Sequence, residues 1–377
     1  MQLLMKLSLF FAAFFVQFKE TQIISIGVLL FLVAYTTLLN ILIYQRFLTK
    51  GIFYLLLWTF LIISTLRAEF ISLTETKIEI MWLFLGILSF IIIANNIKID
   101  RITSLKTLIY AGLSGGLIQI FLQMTHRYIP FLTSVPYAGT RWVGGFDGPN
   151  EMAAFYLMIL SMVFGLKIER SIKTTTFILS LLIFLPLIYF PFSRGGLLGL
   201  GILVLLYMIY KFKHGKHKIL LLLFYSSIIT YFYFKYFDIL MYKFSDVRSN
   251  ASDRDYLFRD SLELFKQNPI FGHGLGSFDA LAPAHNIVPH SDYLLFMVSG
   301  GLISLSILLY FYFTFAKKAF KNKYYPEVLA ISTFIIQGLT FNNIVRGRVS
   351  ILFWLVVIIL YLSVSKINKD KSKEHYS

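Results

Sequence analysis

Cysteine is absent from the 377 residues, so no disulfide staples this chain and no thiolate holds a metal. Charge is scarce, with Asp, Glu, Lys and Arg together at 14% against about 25% in ordinary soluble domains. Acidic residues are the scarcer sign, 19 against 35 basic ones. No tandem repeat or low-complexity tract occurs, which leaves a single polytopic domain over residues 1–377. What fills the chain is apolar: 57% of it, 18% aromatic.

The apolar residues come in runs such as "IGVLLFLVAYTTLLNILIY" and "ILFWLVVIILYLSV", near the ~20 residues a helix needs to cross a bilayer. Twelve span-like segments are predicted: Leu3 to Phe18, Ile23 to Tyr44, Ile52 to Leu66, Ile78 to Ala94, Leu105 to Gln123, Met152 to Leu166, Thr174 to Phe190, Gly195 to Tyr210, Ile219 to Phe237, His290 to Phe315, Pro326 to Thr340 and Val349 to Ser365. The expected fold class is therefore all-α and polytopic. Lys6 ahead of the first apolar run imitates a signal peptide, but further spans follow at once and the segment reads as an uncleaved anchor.

The net charge of +16 invites a nucleic-acid reading, which its distribution opposes. Almost all of it falls in the even-numbered connections and the C-terminal tail, while the odd-numbered connections sum to zero. By the positive-inside rule both termini lie in the cytoplasm and the odd connections face outward. No nucleic-acid partner is implied. Two outward segments are long, Met124 to Glu151 and Met241 to Pro289, and function is expected there.

In the large outward loop, 241–289, "SDRDYLFRDSLELFKQNP" reads as an amphipathic helix ended by Asn268 and Pro269. Leu257, Phe258, Ser261, Leu262 and Phe265 should share its apolar face, with Asp255, Arg259, Glu263 and Lys266 opposite. Arg254 falls on the apolar side, either snorkelling to water or aimed at an anion. Arg194 stands between two spans with almost no loop, beside Pro191, Gly195 and Gly196. It either anchors headgroups or lines a polar cavity, and irregular backbone at membrane depth favours the cavity. Arg346 and Arg348 put two positive charges on a short outward connection. Arg141, Asp147 and Asn150 precede the sixth span in "RWVGGFDGPNEMAAF".

The run "FGHGLGSF" lacks the lysine of a nucleotide-binding loop and is expected to turn the chain. After it comes "PAHNIVPHSDYLLFMVSGG". Pro289 suits a first helical turn, so His290 should open the tenth span, where a helix N-terminus disfavours the imidazolium and leaves a neutral proton acceptor. A Ser-His-Asp triad does not fit, because His290, Ser291 and Asp292 are consecutive and point about 100° apart. Metal readings of Asp253 with Asp255, or of His285 with His290, lack supporting ligand spacing.

The order "GGFDGPNEMA", "SRGG", an arginine on an amphipathic helix, "NPIFGHGLGSF" and "PHSDYL" resembles the O-antigen ligase and Wzy-type polysaccharide polymerase superfamily over about Arg141 to Gly301. The resemblance implies a GT-C-type, metal-independent and inverting glycosyltransferase without a cofactor. Its donor and acceptor are undecaprenyl-diphosphate-linked glycans at the outer face of the bacterial inner (plasma) membrane. Membrane lipid and a chain-length regulator protein are the further partners it implies. By motif, the catalytic residues are His290, Arg194 and Arg254, with Arg346, Arg348, Arg141, Asn150, Tyr293 and His285 at the substrate. His285 in "HN" stays a second candidate for the histidine, and Ser291 stands where the family's histidine is commonly followed by Asn.

In the implied reaction the diphosphate leaves, the arginines neutralise its developing charge and His290 takes the proton of the attacking hydroxyl or orients it. Polymerase is the preferred reading because no additional outer domain or strongly basic surface awaits a phosphorylated lipid A core. A ligase is the alternative, and a flippase of lipid-linked sugars is the alternative of another class. The flippase is disfavoured because no acidic residue lies mid-span and polar residues gather on one side.

Overall fold

The computed structural model describes residues 2–18, 21–39, 73–94, 99–125, 137–138, 141–214, 253–281, 291–341, 343 and 347–374. Within them the chain is a helical bundle: α1 Gln2–Phe15, α2 Gln22–Leu39, α3 Leu73–Ala94, α4 Arg101–Met124, α5 Pro149–Ile168, α6 Thr174–Tyr189, α7 Arg194–His214, α8 Asp253–Gln267, α9 Ser277–Leu281, α10 Asp292–Lys321, α11 Tyr325–Gln337 and α12 Gly347–Glu374. The one sheet among the described residues is a ribbon of β1, Tyr137–Ala138, and β2, Arg141–Trp142, paired antiparallel. All except α8 and α9 coincide with expected spans. The expected spans at Ile52 to Leu66 and Ile219 to Phe237 lie outside the described residues. Four helices, at Arg101–Met124, Pro149–Ile168, Arg194–Phe212 and Asp292–Lys321, are long and apolar enough to cross a membrane, and several shorter apolar helices accompany them. The chain has the make-up of a membrane protein.

Helix α5 is the axis of the bundle. Every residue from Glu151 to Leu166 is buried, as expected of a helix that is apolar all round. It is covered by α4, α6, α7, α11 and α12. Helix α7 lies outside it, with Leu198, Leu205 and Ile209 more than half exposed, the composition of a surface meant for lipid. Four glutamines, Gln17, Gln119, Gln123 and Gln337, are buried among the described residues. Gln17 donates to the carbonyls of Ala13 and Ala111 and accepts from Tyr156 Oη at 2.8 Å, and Gln119 donates to Gln17 O and accepts from Gly145 N at 2.9 Å. Gln337 differs from Gln17 and Gln119, because neither end of its side-chain amide has a hydrogen-bond partner among the described residues.

The two ends of the bundle are each closed by an arginine. At one end Arg101, opening α4, binds Glu169 through two nitrogens at 2.9 and 2.7 Å and Glu327 through two at 2.7 and 2.5 Å, and its guanidinium lies 3.8 Å from the centre of the Tyr324 ring. The Tyr325 amide adds a further bond to Glu169. This clamp brings together the connections before α4, after α5 and before α11. They are three of the basic connections that the charge pattern assigns to one side. The connections before α5, between α6 and α7, and between α11 and α12 meet at the opposite end.

Helix α10 is broken. Gly301 adopts φ 61° and ψ −158° inside it, a conformation that only glycine takes without strain. The loop 268–276 fills the break: Leu302 N donates to Pro269 O at 2.8 Å, His273 N to Val298 O at 2.8 Å and Gly274 N to Ser299 O at 2.9 Å. Gly272 lies so close to Gly300 and Gly301 that a Cβ there would come within 2.5 Å of the Gly300 nitrogen. The glycine run, expected to turn the chain, also supplies partners to backbone that the break would otherwise leave unpaired.

Candidate active site at the Arg194 end

Arg194 is positioned by its neighbours. Helix α6 ends at Tyr189, Phe192 takes a left-handed φ of 48°, and Ser193 caps α7 by accepting from Gly196 N at 3.2 Å. The Pro191 and Phe192 carbonyls of this tight connection are held by Arg141, at 2.7 and 3.4 Å. Arg141 also reaches Asn150 Oδ1 at 3.2 Å. The indole of Trp142 lies 4.5 Å from the Phe190 ring. Arg194 itself is exposed at the start of α7, and nothing among the described residues pairs with its guanidinium.

Beside it, Arg348 is spent on a clamp. Fully buried at 1% exposure, it reaches Glu151 Oε2 at 2.7 Å and Asp147 Oδ2 at 3.0 Å. Asp147 N also donates to Glu151 Oε2 at 3.0 Å, so the first turn of α5 and the first turn of α12 are tied together. Expected as a helper for the diphosphate, Arg348 instead has two carboxylates already on it. Tyr293, expected at the substrate, gives its hydroxyl to Ile335 O at 2.8 Å and so joins α10 to α11. Arg141 and Asn150 meet each other, the first chiefly as a brace for the loop before Arg194.

Helix α10 starts two residues later than expected. Ser291 is extended, at φ −155° and ψ 131°, and Asp292 is the first helical residue, so position 290 precedes the helix instead of opening it. Buried Asp292 donates its amide to Gly338 O at 2.9 Å, just past the end of α11. His290, His285 and Arg346 lie outside the described residues, as does the side chain of Arg254, whose backbone sits in the first turn of α8. Helix α8 does form and ends before Asn268 as expected, but its buried stripe is Leu257, Ser261 and Leu264, and Phe258 is 53% exposed. A narrow seam against Val298 and Phe278 suffices to seat it, which rotates Phe258 away from the protein.

The ends of α5, α7 and α11 border a small, partly open cavity with room for about one water, lined by Asn150, Ala154, Ser193, Gly195, Gly196, Gln337, Thr340 and Phe341. The walls meet closely: a Cβ on Gly195 would lie 2.5 Å from Thr340 Oγ1. Ser193, Gln337, Thr340 and the buried carboxylate of Glu151 were not picked out in the sequence. The available signal was a polar amide near the end of an apolar span, a position where polarity is rarely incidental.

Residues 178–309 match the family model of O-antigen ligase (Wzy_C). The O-antigen ligase match contains Arg194, Arg254, the glycine run that fills the break in α10, and position 290. It agrees with the resemblance carried by the motifs and begins after "GGFDGPNEMA". A comparison with curated proteins finds no match. Over that segment, about a third of the chain, the protein is similar to O-antigen ligase.

Proposed function

We propose that this chain is a polysaccharide polymerase of the bacterial inner membrane. It joins undecaprenyl-diphosphate-linked repeat units at the outer face by an inverting, metal-independent transfer. The observation that carries the reading is Arg194: an exposed arginine with no partner among the described residues, at the N-terminus of α7, beside a polar cavity and inside the O-antigen ligase match. A helix N-terminus and a guanidinium together favour a diphosphate.

In this reading the donor diphosphate leaves against Arg194 and Arg254, and His290 takes the proton of the attacking sugar hydroxyl or orients it. Arg141 fixes the loop that carries Arg194, while Arg348 and Tyr293 hold α5, α10, α11 and α12 in register around the site. Arg346, Asn150 and His285 complete the substrate side. The twelve-span GT-C arrangement, cytoplasmic termini and a chain-length regulator as partner belong to the same proposal.

A deletion strain tests it. Loss of a polymerase leaves single repeat units on the final carrier, and restoration by wild type but not by His290→Ala or Arg194→Ala is expected. Long polymer stranded on undecaprenyl diphosphate would make the chain a ligase. Intermediates trapped on the cytoplasmic face would make it a flippase.

A further inference from the structure

Beyond its break, α10 carries exposed apolar side chains at Leu302, Leu309, Phe313 and Phe320. Their spacing puts them on one helical face, the face a spanning helix turns to lipid. From Leu302 to Phe320 the helix rises about 27 Å, nearly the ~30 Å of a hydrocarbon core. Lys317, Lys318, Lys321 and Lys323 crowd the Phe320 end, where cations meet headgroups. Leu302 therefore stands at the opposite edge of the hydrocarbon.

The exposed apolar surface does not stop at Leu302. The Leu302 amide donates to Pro269 O at 2.8 Å and the Ile303 amide to Ile270 O at 3.5 Å, so the turn after α8 adjoins the top of the lipid-facing stripe. In that turn Ile270 and Phe271 are about half exposed. Helix α8, which leads into it, has three sides. Leu257, Ser261 and Leu264 are buried, while Arg259, Glu263 and Lys266 are exposed. On the third side Phe258, Leu262 and Phe265 fall within about 60° of one another, with Phe258 exposed and the other two half-buried. One apolar side seats a helix on its protein, and here a second is left over. A lone exposed apolar residue needs no explanation, but a continuous run marks a contact surface. Continuity with the stripe on α10 specifies lipid as what covers it.

We propose that the Phe258 side of α8 and the Ile270–Phe271 turn form a foot that rests on the bilayer at the Arg194 end, its rings set at the boundary of headgroups and hydrocarbon. Aromatic side chains on an amphipathic helix suit that depth. Helix α8 is thereby held level with the lipid phosphates, and its first turn, which carries Arg254, meets a lipid-linked diphosphate in the plane of the membrane. That consequence rests on the reading of Arg254 as a diphosphate contact, whereas the seating of α8 on lipid does not.

The chain has no cysteine, so single nitroxide labels can be placed without background. Phe258→Cys, Phe271→Cys, Phe313→Cys and Lys266→Cys are labelled in the full chain in lipid nanodiscs. Power saturation compares collisions with oxygen, which concentrates in hydrocarbon, and with a nickel chelate, which stays in water. Phe258→Cys and Phe271→Cys should favour oxygen, at less depth than Phe313→Cys, and Lys266→Cys should favour the chelate. A chelate preference at Phe258→Cys or Phe271→Cys puts the surface in water and overturns the proposal. Labels shielded from both probes reveal protein cover and overturn it too, with dipolar broadening between labels identifying a second copy as the cover. A double variant, Phe258→Asp with Phe271→Asp, should lose transfer of lipid-linked glycan at normal expression. Oxygen-favouring labels together with full transfer in the double variant keep the membrane contact and sink the diphosphate role of Arg254 that was hung on it.

Discussion

The two ends of the bundle use the same device to different effect. At the Arg101 end the guanidinium, two carboxylates, the Tyr325 amide and the Tyr324 ring satisfy one another. At the Arg194 end a second clamp, Arg348 with Asp147 and Glu151, is less complete, since Arg348 Nε has no hydrogen-bond partner among the described residues and Asp147 is half exposed, and at the same end stand an arginine and an amide without partners among the described residues and a small cavity. A helical bundle gains nothing in stability from that second set. The contrast separates an arginine that holds helices together from one with no partner among the described residues, although both stand at helix starts.

The sharpest way to break the comparison is to ask which end faces outward. With no native cysteine, Lys266→Cys and Lys173→Cys report the two ends by labelling with an impermeant thiol reagent on spheroplasts. Labelling of Lys266→Cys alone is expected, and the reverse pattern would put the Arg194 end in the cytoplasm and end the proposed function. Next in size, Arg194→Ala should lower transfer by roughly 10²–10³-fold, the scale of losing one charge-stabilising donor, at normal expression. Lys should restore little, since a point charge replaces a fork of donors. Activity near that of wild type would return Arg194 to the role of a headgroup anchor.

The Arg101 end should fail in another currency. Arg101→Ala strands Glu327, which is 0% exposed, and breaking a buried pair costs about 3–5 kcal/mol. Lower yield and a lower thermal midpoint are expected, with specific activity preserved in whatever protein folds. A specific-activity loss matching that of Arg194→Ala would erase the distinction between the ends. Smallest of the set, Gly301→Ala puts a side chain at positive φ against the Ile270 carbonyl, a strain of about 1–3 kcal/mol. It should lower the midpoint by a few degrees and loosen proteolytic protection of loop 268–276, and an unchanged digestion pattern would argue against the docking of that loop.

Span positions were legible because apolar periodicity and length are local properties, and every expected span within the described residues has its helix. The start of α10 was misread by two residues because Pro289 suggested a first turn, whereas the extended backbone of Ser291 marks the boundary. Phe258 was assigned to the buried side because helical spacing alone cannot tell which part of a wide apolar stripe meets a narrow seam. The clamps were invisible for a different reason. Arg101 and Glu327, or Glu151 and Arg348, are separated by 226 and 197 positions, and no local pattern announces such a pair. Arg194 could be found because proline and glycines beside it disturb a span, while Gln337 ends a helix in which no local feature marks its amide as unpaired.

Loop 268–276 looks, by composition, like a place to insert a tag or graft a linker. Its bonds to the break in α10 make it as intolerant of added length as a helix interior, because an extra residue would slide the amides of His273 and Gly274 off the carbonyls they serve. The stretch from Asp292 to Gly300 rises only about 13 Å, so those carbonyls lie below the bundle end, where water is poorly placed to replace the lost partners. Engineering or natural drift in this chain should therefore spare the glycines, and a homologue that lengthens this loop should also have an unbroken helix in place of α10.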